Sequence, residues 1–101
     1  YLGSARFNIK LDKYIKKNYG DVKSDLSMVM YKHAIDSMVK KNGFVSFITT
    51  SSWMFLSSFE KFRKKLIETT TISNLLHMDN MVMRIAFGTS ATIFRKINLV
   101  I

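Results

Sequence analysis

Apolar side chains recur at helical spacing along residues 25–41, while charged side chains fall on the opposite side of the same stretch. This pattern is typical of a helix that buries one face. Ser24 offers a capping hydroxyl and Asp25 a carboxylate in the first turn, and both favour a helix start. Asn42-Gly43 follows the stretch and is typical of a helix end. The sequence therefore predicts a helix over residues 25–41.

A second helical pattern follows Ser57 and Ser58, and either hydroxyl suits a cap. It predicts a helix over residues 57–68 that ends in a run of threonines. Its expected inner face consists of four apolar side chains, Phe59, Phe62, Leu66 and Ile67.

Runs rich in β-branched and aromatic residues predict three strands, at residues 43–49, 71–78 and 91–100. The first run shows little alternation of polar and apolar positions, which is typical of a strand buried on both faces. The last run alternates in part, and we expect it to pair with residues 71–78 in antiparallel fashion. Helices alternating with strands at this spacing indicate an α/β layer with a parallel sheet. Its first strand is expected to lie outside the chain, because residues 1–23 read as a basic loop with a short helix.

Composition narrows the class of protein. The chain has 101 residues, of which 48% are hydrophobic and none is cysteine, so it forms at most one domain and has no disulfide, zinc–thiolate site or cysteine nucleophile. A cysteine-free chain fits the reducing cytoplasm, which is the localisation we expect. No apolar run approaches the roughly 18–20 residues of a membrane-spanning helix, so no membrane contact is predicted.

The charge is strongly basic, with a net value of +9 from 16 basic and 7 acidic residues. Such an excess favours polyanions such as nucleic acid as partners. The clearest candidates are four lysines interleaved with aromatic residues near the start of the chain, a combination that suits phosphate contact and base stacking. A solvated helix face would show the same pattern. The four are Lys10, Lys13, Lys16 and Lys17.

Self-contained catalytic chemistry is not visible in the sequence. His33 and His77 have no carboxylate partner at a telling spacing, and a Gly-x-Ser-x-Gly elbow is missing. The four glycines form no phosphate-binding loop. The acidic residues are too scattered for a metal site, so none is predicted.

An ordered set of segments over residues 20–96 resembles the second half of the catalytic domain of adenine-specific (N6) DNA methyltransferases. The resemblance is to the type IIG restriction–modification enzymes and the PglX-like methylases of BREX phage defence. The segments that carry it are Asp25-Leu26, residues 39–49 (VKKNGFVSFIT), Ser51-Ser52-Trp53-Met54, residues 59–66 (FEKFRKKL) and residues 85–94 (IAFGTSATIF).

The resemblance implies a partial Rossmann-like fold of S-adenosylmethionine-dependent methyltransferases, namely its second half. The mixed sheet would end in an antiparallel strand pair, and residues 1–101 would be one fragment of the catalytic domain. The family's cofactor loop and the Asn of its Asn-Pro-Pro-Tyr motif would lie upstream. We therefore expect the fragment alone to be inactive, and to have the N-terminal half of the domain as a partner. Unpaired sheet edges make self-association a further expectation.

The resemblance also implies residue roles. Tyr1 matches the aromatic residue of the family motif, which stacks on a target adenine flipped out of the duplex, and Phe87 matches a second aromatic residue on the other face of the base. Asp25, Leu26 and Met30 match positions that face S-adenosylmethionine. The chain departs from the family at Ser27 and Met30, where aromatic residues are usual.

A further departure is Thr50, which stands where a proline is common. The function implied is methyl transfer from S-adenosylmethionine to adenine N6 in DNA, in restriction–modification or phage defence. Two alternatives remain open at this point. One is a non-enzymatic, basic nucleic-acid-binding module, and the other is a structural scaffold whose lysines serve solubility.

Overall fold

A computed structural model of the chain describes residues 2–85 and 87–97. It mixes helices and strands, joined by short 3-10 turns. The helices and strands are α1 (Ile9–Asn18), α2 (Leu26–His33), β1 (Phe44–Thr50), α3 (Glu60–Thr69), β2 (Thr71–Met78) and β3 (Thr89–Arg95). The helices of the described residues are too short or too polar to span a bilayer.

The three strands form one sheet in the order β1-β3-β2, and β3 is antiparallel to both neighbours. The predicted antiparallel pair of the last two strands is therefore confirmed. The predicted parallel sheet is wrong for the described residues, because β3 lies between β1 and β2 and separates two strands that run in the same direction. Thr50 at the end of β1 and Met78 at the end of β2 both pair with Thr89 at the start of β3. This end of the sheet is called the carboxyl edge below.

The core lies on one face of the sheet, under α2. The ring of Tyr31 is fully buried and lies 4.6 Å from the Phe47 ring and 5.4 Å from the Phe94 ring, measured between centroids. Its hydroxyl hydrogen-bonds to the buried Thr92 hydroxyl. Burial raises the pKa of the Tyr31 phenol, so the group remains protonated and the polar pair stays neutral inside the core.

The helix predicted over residues 25–41 is shorter and differently capped. Asp25 is the N-cap, and its side chain accepts from the Ser27 backbone N–H; Ser24 is not the cap. After α2 the helix widens into a π turn over Ala34–Met38, so the helical segment ends three residues early. The cause is the entry into β1, because Asn42 and Gly43 must pair with the backbone of Lys96.

The expectation that the first strand is buried on both faces is wrong within the described part of the chain. Val45 and Thr49 on one face of β1 are buried, but Phe44 on the other face is 61% exposed and Ile48 is 47% exposed. Ile48, Ala91 and Leu76 form a cross-strand apolar row on that second face. The described residues leave this row largely uncovered, and it is called the bare face below.

The second helix begins later than predicted. Residues Ser57–Phe59 form a 3-10 turn, and α3 follows it without a side-chain cap from either serine. Phe59, Phe62 and Leu66 are buried as predicted, but Ile67 is exposed. Since one helical residue advances about 100°, Ile67 points away from the core that its neighbour Leu66 enters.

The two remaining strand predictions fared differently. The strand over residues 71–78 is confirmed with the same bounds. The last strand begins two residues earlier than expected and ends at Arg95, where the backbone turns to pair with residues 42 and 43. The end predicted at residue 100 lies outside the described residues, as does Tyr1.

Candidate functional site

A cavity of about 300 Å³ opens at the carboxyl edge of the sheet, which is near the lower end of the range of small-molecule sites. It is called the edge pocket below. Its polar lining includes Asp25, Thr50 and Ser52, and its apolar lining includes Leu56 and Phe87. The pocket thus combines side chains that can form hydrogen bonds with an aromatic side chain.

Asp25 is the best-connected side chain in the edge pocket. Its Oδ1 accepts hydrogen bonds from the backbone N–H and the hydroxyl of Ser27, both at 2.9 Å. Its Oδ2 accepts from the Thr50 hydroxyl at 2.7 Å. The residue is only 9% exposed, so the carboxylate joins the start of α2 to the end of β1. Asp25 is predicted to face the cofactor. In the structure both of its carboxylate oxygens accept hydrogen bonds from other residues of the chain.

The first described residues are held against α2 by backbone contacts. Gly3 forms an isolated antiparallel bridge with Asp25. The Leu26 N–H donates to the Leu2 carbonyl at 2.9 Å, and the Ser4 N–H donates to the Ser24 carbonyl at 3.0 Å. Leu2 and Gly3 therefore line the edge pocket. Tyr1, the predicted base-stacking residue, precedes them in the chain but is not among the described residues.

Phe87 also lines the edge pocket. The Ser51 N–H donates to the Gly88 carbonyl at 3.0 Å, which holds the segment of Phe87 against the end of β1. A Cβ atom at residue 88 would come within 2.9 Å of the Ser51 hydroxyl. The two segments therefore approach closely, and a side chain at residue 88 would require the Ser51 hydroxyl to shift.

Met30 does not share the edge pocket with Asp25. It lines a separate open groove of about 490 Å³ together with Tyr14, Tyr19 and Phe47. Leu26 lines neither cavity but packs partly buried against the core. The structure thus separates the three predicted cofactor positions, and only Met30 presents an exposed side chain to a cavity.

Two polar groups of this groove form a hydrogen-bonded pair. The Tyr19 hydroxyl and His33 Nδ1 lie 2.9 Å apart. Desolvation, with a contribution from neighbouring Tyr14, raises the pKa of the Tyr19 phenol, so Tyr19 keeps its proton and can donate it in this hydrogen bond. His33 is thereby engaged in the fold. Among the described residues no group of three or more His, Asp or Glu side chains is placed to hold a metal ion.

The four lysines lie on one exposed side of α1. At about 100° per residue they span about 120° of the helix circumference, opposite the buried Ile15. Asn8 caps the helix by accepting from the Leu11 N–H. One of the lysines, Lys16, also pairs with Asp12 at 2.8 Å. The structure therefore gathers Lys10, Lys13, Lys16 and Lys17 into one basic face.

The sequence predicts Asp25 as a site residue but assigns no site role to Thr50, Ser52 or Leu56, which also line the edge pocket. The loop that follows β1 is held by Arg63, whose Nη1 donates to the Trp53 carbonyl at 2.9 Å and the Leu56 carbonyl at 2.6 Å. No sequence pattern signals these contacts, because they depend on how α3 packs against the loop.

The family model and the curated relatives that match this sequence are all described as methylases or methyltransferases. The sequence model of the family described as Eco57I restriction-modification methylase matches residues 1–83. The chain is 38% identical over 78 residues to the adenine-specific methyltransferase BrxX of Escherichia coli O9:H4 (strain HS), which is 77% of this chain and 6% of that protein. It is 36% identical over 78 residues to the adenine-specific methyltransferase PglX of Lacticaseibacillus casei (strain Zhang), again 77% of this chain and 6% of that protein. The chain thus spans a small fraction of the length of these relatives.

Proposed function

Since the chain belongs to the Eco57I restriction-modification methylase family, we propose that it forms part of the catalytic domain of a site-specific DNA methyltransferase. The complete protein transfers the methyl group of S-adenosylmethionine to N6 of adenine in DNA, and serves restriction–modification or phage defence. One observation carries the proposal: Phe87 and the segment that follows Tyr1 line the same edge pocket, together with Asp25 and Thr50.

In this proposal the edge pocket receives the target adenine. Chemistry on a base requires that it leave the helical stack, and flipped bases are held by stacking and by hydrogen bonds. Phe87 would supply one aromatic face and Tyr1 the other, and the hydroxyl of Ser52 is among the polar groups that line the pocket. These residues bind and orient the base, so that its amino group is held away from bulk water.

S-adenosylmethionine would supply the electrophilic methyl group. The described residues fit only an apolar part of this cofactor, through Met30 in the groove beside α2. No carboxylate is among the residues that line this groove, so none of them can hold ribose hydroxyls as an acidic side chain would. The principal contacts of the cofactor would therefore be made by other parts of the complete protein.

The fold implied for the complete protein is the Rossmann-like methyltransferase fold. The β1-β3-β2 sheet would be the end of its mixed sheet, and the outer edge of β1 would accept a further strand. An exposed edge presents unpaired backbone groups that favour such pairing. The N-terminal half of the domain would thus be the partner of this chain.

The proposal is tested with the complete protein that contains this chain. It is incubated with S-adenosylmethionine and unmethylated DNA, and the nucleosides are then analysed by mass spectrometry. We expect N6-methyladenine to form. Methylation of cytosine instead, or of no base on a varied set of DNA sequences, would contradict the proposal.

The basic face of α1 is proposed to bind DNA phosphates. Replacing Lys10, Lys13, Lys16 and Lys17 together by glutamine should weaken DNA binding and flatten its dependence on salt. Each lost phosphate contact lowers the slope of log affinity against log salt by about 0.9, so four contacts correspond to about 3.6. Fluorescence anisotropy titrations of the complete protein at several salt concentrations measure the slope.

The control for charge alone is a second set of four exposed lysines replaced by glutamine, Lys40, Lys41, Lys61 and Lys64. It changes the net charge equally but should leave most of the slope intact. Equal slopes for the two variants would contradict a specific role for α1. A strong α1 effect in a protein that methylates no DNA would instead favour the non-enzymatic binding module.

The 101-residue chain by itself is proposed to self-associate through the bare face. Leu76 is 60% exposed there, and exposed apolar patches beside open strand edges favour association. Sedimentation velocity at increasing concentration should show species larger than a monomer. Replacing Ile48 and Leu76 by lysine should shift the chain towards monomer, whereas Ile67→Lys, on an exposed side of α3, should not. A wild-type chain that is monomeric at every concentration would refute the proposed self-association.

A further inference from the structure

We propose that the hydrogen bond between Thr50 and Asp25 is a positioning element that fixes the width of the edge pocket. It would set the separation between the wall formed by Leu2 and Gly3 and the wall formed by Phe87. The inference rests on the proposed function, which it deepens by assigning Thr50 as a positioning residue for the target base.

One wall is tied to the backbone of Asp25 and its neighbours. The antiparallel bridge between Gly3 and Asp25 places the first described residues beside the start of α2. The backbone N–H of Leu26, which follows Asp25, donates to the Leu2 carbonyl. Because Asp25 also caps α2 through Oδ1, its side chain cannot move without disturbing the helix start. Asp25 is therefore a rigid reference point for this wall.

The other wall is tied to Thr50. Thr50 is the last residue of β1, and the next residue, Ser51, donates its N–H to the Gly88 carbonyl. Gly88 directly follows Phe87, and a Cβ atom added at Gly88 would lie 2.9 Å from the Ser51 hydroxyl, so the two segments are in close contact. The backbone hydrogen bond and this contact couple the position of Phe87 to the end of β1.

The Thr50 hydroxyl connects the two walls through the side chain of Asp25. It donates to Asp25 Oδ2 at 2.7 Å, and its oxygen lies 3.2 Å from the Ser52 hydroxyl. A hydrogen bond to a charged, largely buried carboxylate is stronger than one between neutral groups. Removing the hydroxyl would take this partner from Oδ2 and free the end of β1 to move relative to α2. The pocket would then lose its fixed width.

The test compares Thr50→Val with Thr50→Ser in the complete protein. Valine preserves the shape but not the hydroxyl, and serine preserves the hydroxyl. We expect Thr50→Val to lower kcat by about tenfold to 100-fold, because misplacement by about 1 Å near reacting groups costs up to that much. The KM for S-adenosylmethionine should hardly change. Thr50→Ser should restore most of kcat.

A second readout follows the base itself. With 2-aminopurine in place of the target adenine, fluorescence rises when the base leaves the stack. Thr50→Val should lower this signal at saturating DNA, and Thr50→Ser should restore it. A purely structural role would lower the folded fraction, measured by thermal unfolding, without changing kcat or the signal per folded molecule.

Two further variants make the outcome decisive. Thr69→Val removes a hydroxyl that donates to the Lys65 carbonyl on α3, away from the edge pocket, and should leave kcat and the signal unchanged. Asp25→Asn keeps a capping oxygen but loses the carboxylate acceptor of Thr50. It should reproduce the effect of Thr50→Val, and it replaces that variant if valine prevents folding.

The outcomes separate the inference from the proposed function. If the wild-type complete protein methylates no adenine, the proposed function itself fails. If the wild type is active while Thr50→Val and Asp25→Asn match it in kcat and 2-aminopurine signal, the inference alone is overturned. The same holds if Thr50→Ser is as impaired as Thr50→Val.

Discussion

Replacing Trp53 with alanine is expected to lower the free energy of unfolding of the chain by about 3–5 kcal/mol, the usual cost of removing a buried large aromatic side chain. The ring is 4% exposed. It packs edge-on against Phe62, with centroids 6.2 Å apart, and against Phe94 at 5.9 Å. Its loss would therefore open a cavity between α3 and β3.

A hydrogen bond adds to this cost. The Trp53 Nε1–H donates to the hydroxyl of Ser90 at 3.1 Å, and Ser90 is fully buried. Without the indole, that hydroxyl loses this partner. Since domains of this size are stable by roughly 5–15 kcal/mol, the substitution removes a large share of the total and also loosens the loop that lines the edge pocket.

Urea unfolding of the 101-residue chain, followed by far-UV circular dichroism, measures the effect. Trp53→Phe keeps an aromatic ring but loses the donor, and should cost about 1–3 kcal/mol. Phe55→Ala is the matched control, because Phe55 lies in the same loop but is exposed and should change stability by about 0.5 kcal/mol or less. Equal midpoints for Trp53→Ala and Phe55→Ala would contradict the role assigned to Trp53.

The sequence predicted the elements whose signals are local. Residues 71–78 were predicted as a strand with the observed bounds, because a β-rich run lies there between a threonine-rich break and a polar loop. Trp53 is the opposite case. The stretch around it could not be assigned to any element, because its 3-10 turn is stabilised by contacts with Ser90 and Arg63 from distant parts of the chain.

The errors about β1 and the sheet have a related cause. Phe44 and Ile48 form an apolar run with Val45, and such a run predicts burial on both faces whatever lies nearby. The described residues supply a covering layer for only one face. Likewise, alternation of helices and strands predicted parallel neighbours, but the order of strands in a sheet is a tertiary property. Local sequence patterns do not predict that β3 lies between β1 and β2.

The candidate site was predictable only in part. Phe87 and Asp25 were identified through a resemblance to a known family, and the structure places both in the edge pocket. Met30 was identified in the same way but lines a different groove. Thr50 was noted only as a departure from the family, because its importance depends on a partner 25 positions earlier in the sequence.

Replacing both Tyr1 and Phe87 with alanine is expected to impair methylation by the complete protein far more than it impairs folding. Stacking of an aromatic side chain on a base is worth about 1–3 kcal/mol, so each single substitution should lower kcat/KM about 5-fold to 150-fold. Phe87 is 38% exposed, so its removal takes away little core packing. The double variant should show a larger loss than either single variant.

Single-turnover methylation of DNA and thermal unfolding are measured on the same preparations. Phe87→Tyr keeps the stacking ring and should retain most activity, and Phe55→Ala removes an exposed ring that does not line the edge pocket. Full activity of the double variant would contradict base stacking by these residues. A loss of activity matched by an equal loss of folded protein would contradict it too. If the two rings act on opposite faces of one base, the double variant should also abolish the rise in 2-aminopurine fluorescence, because the base would lose the stacking that stabilises it outside the helix.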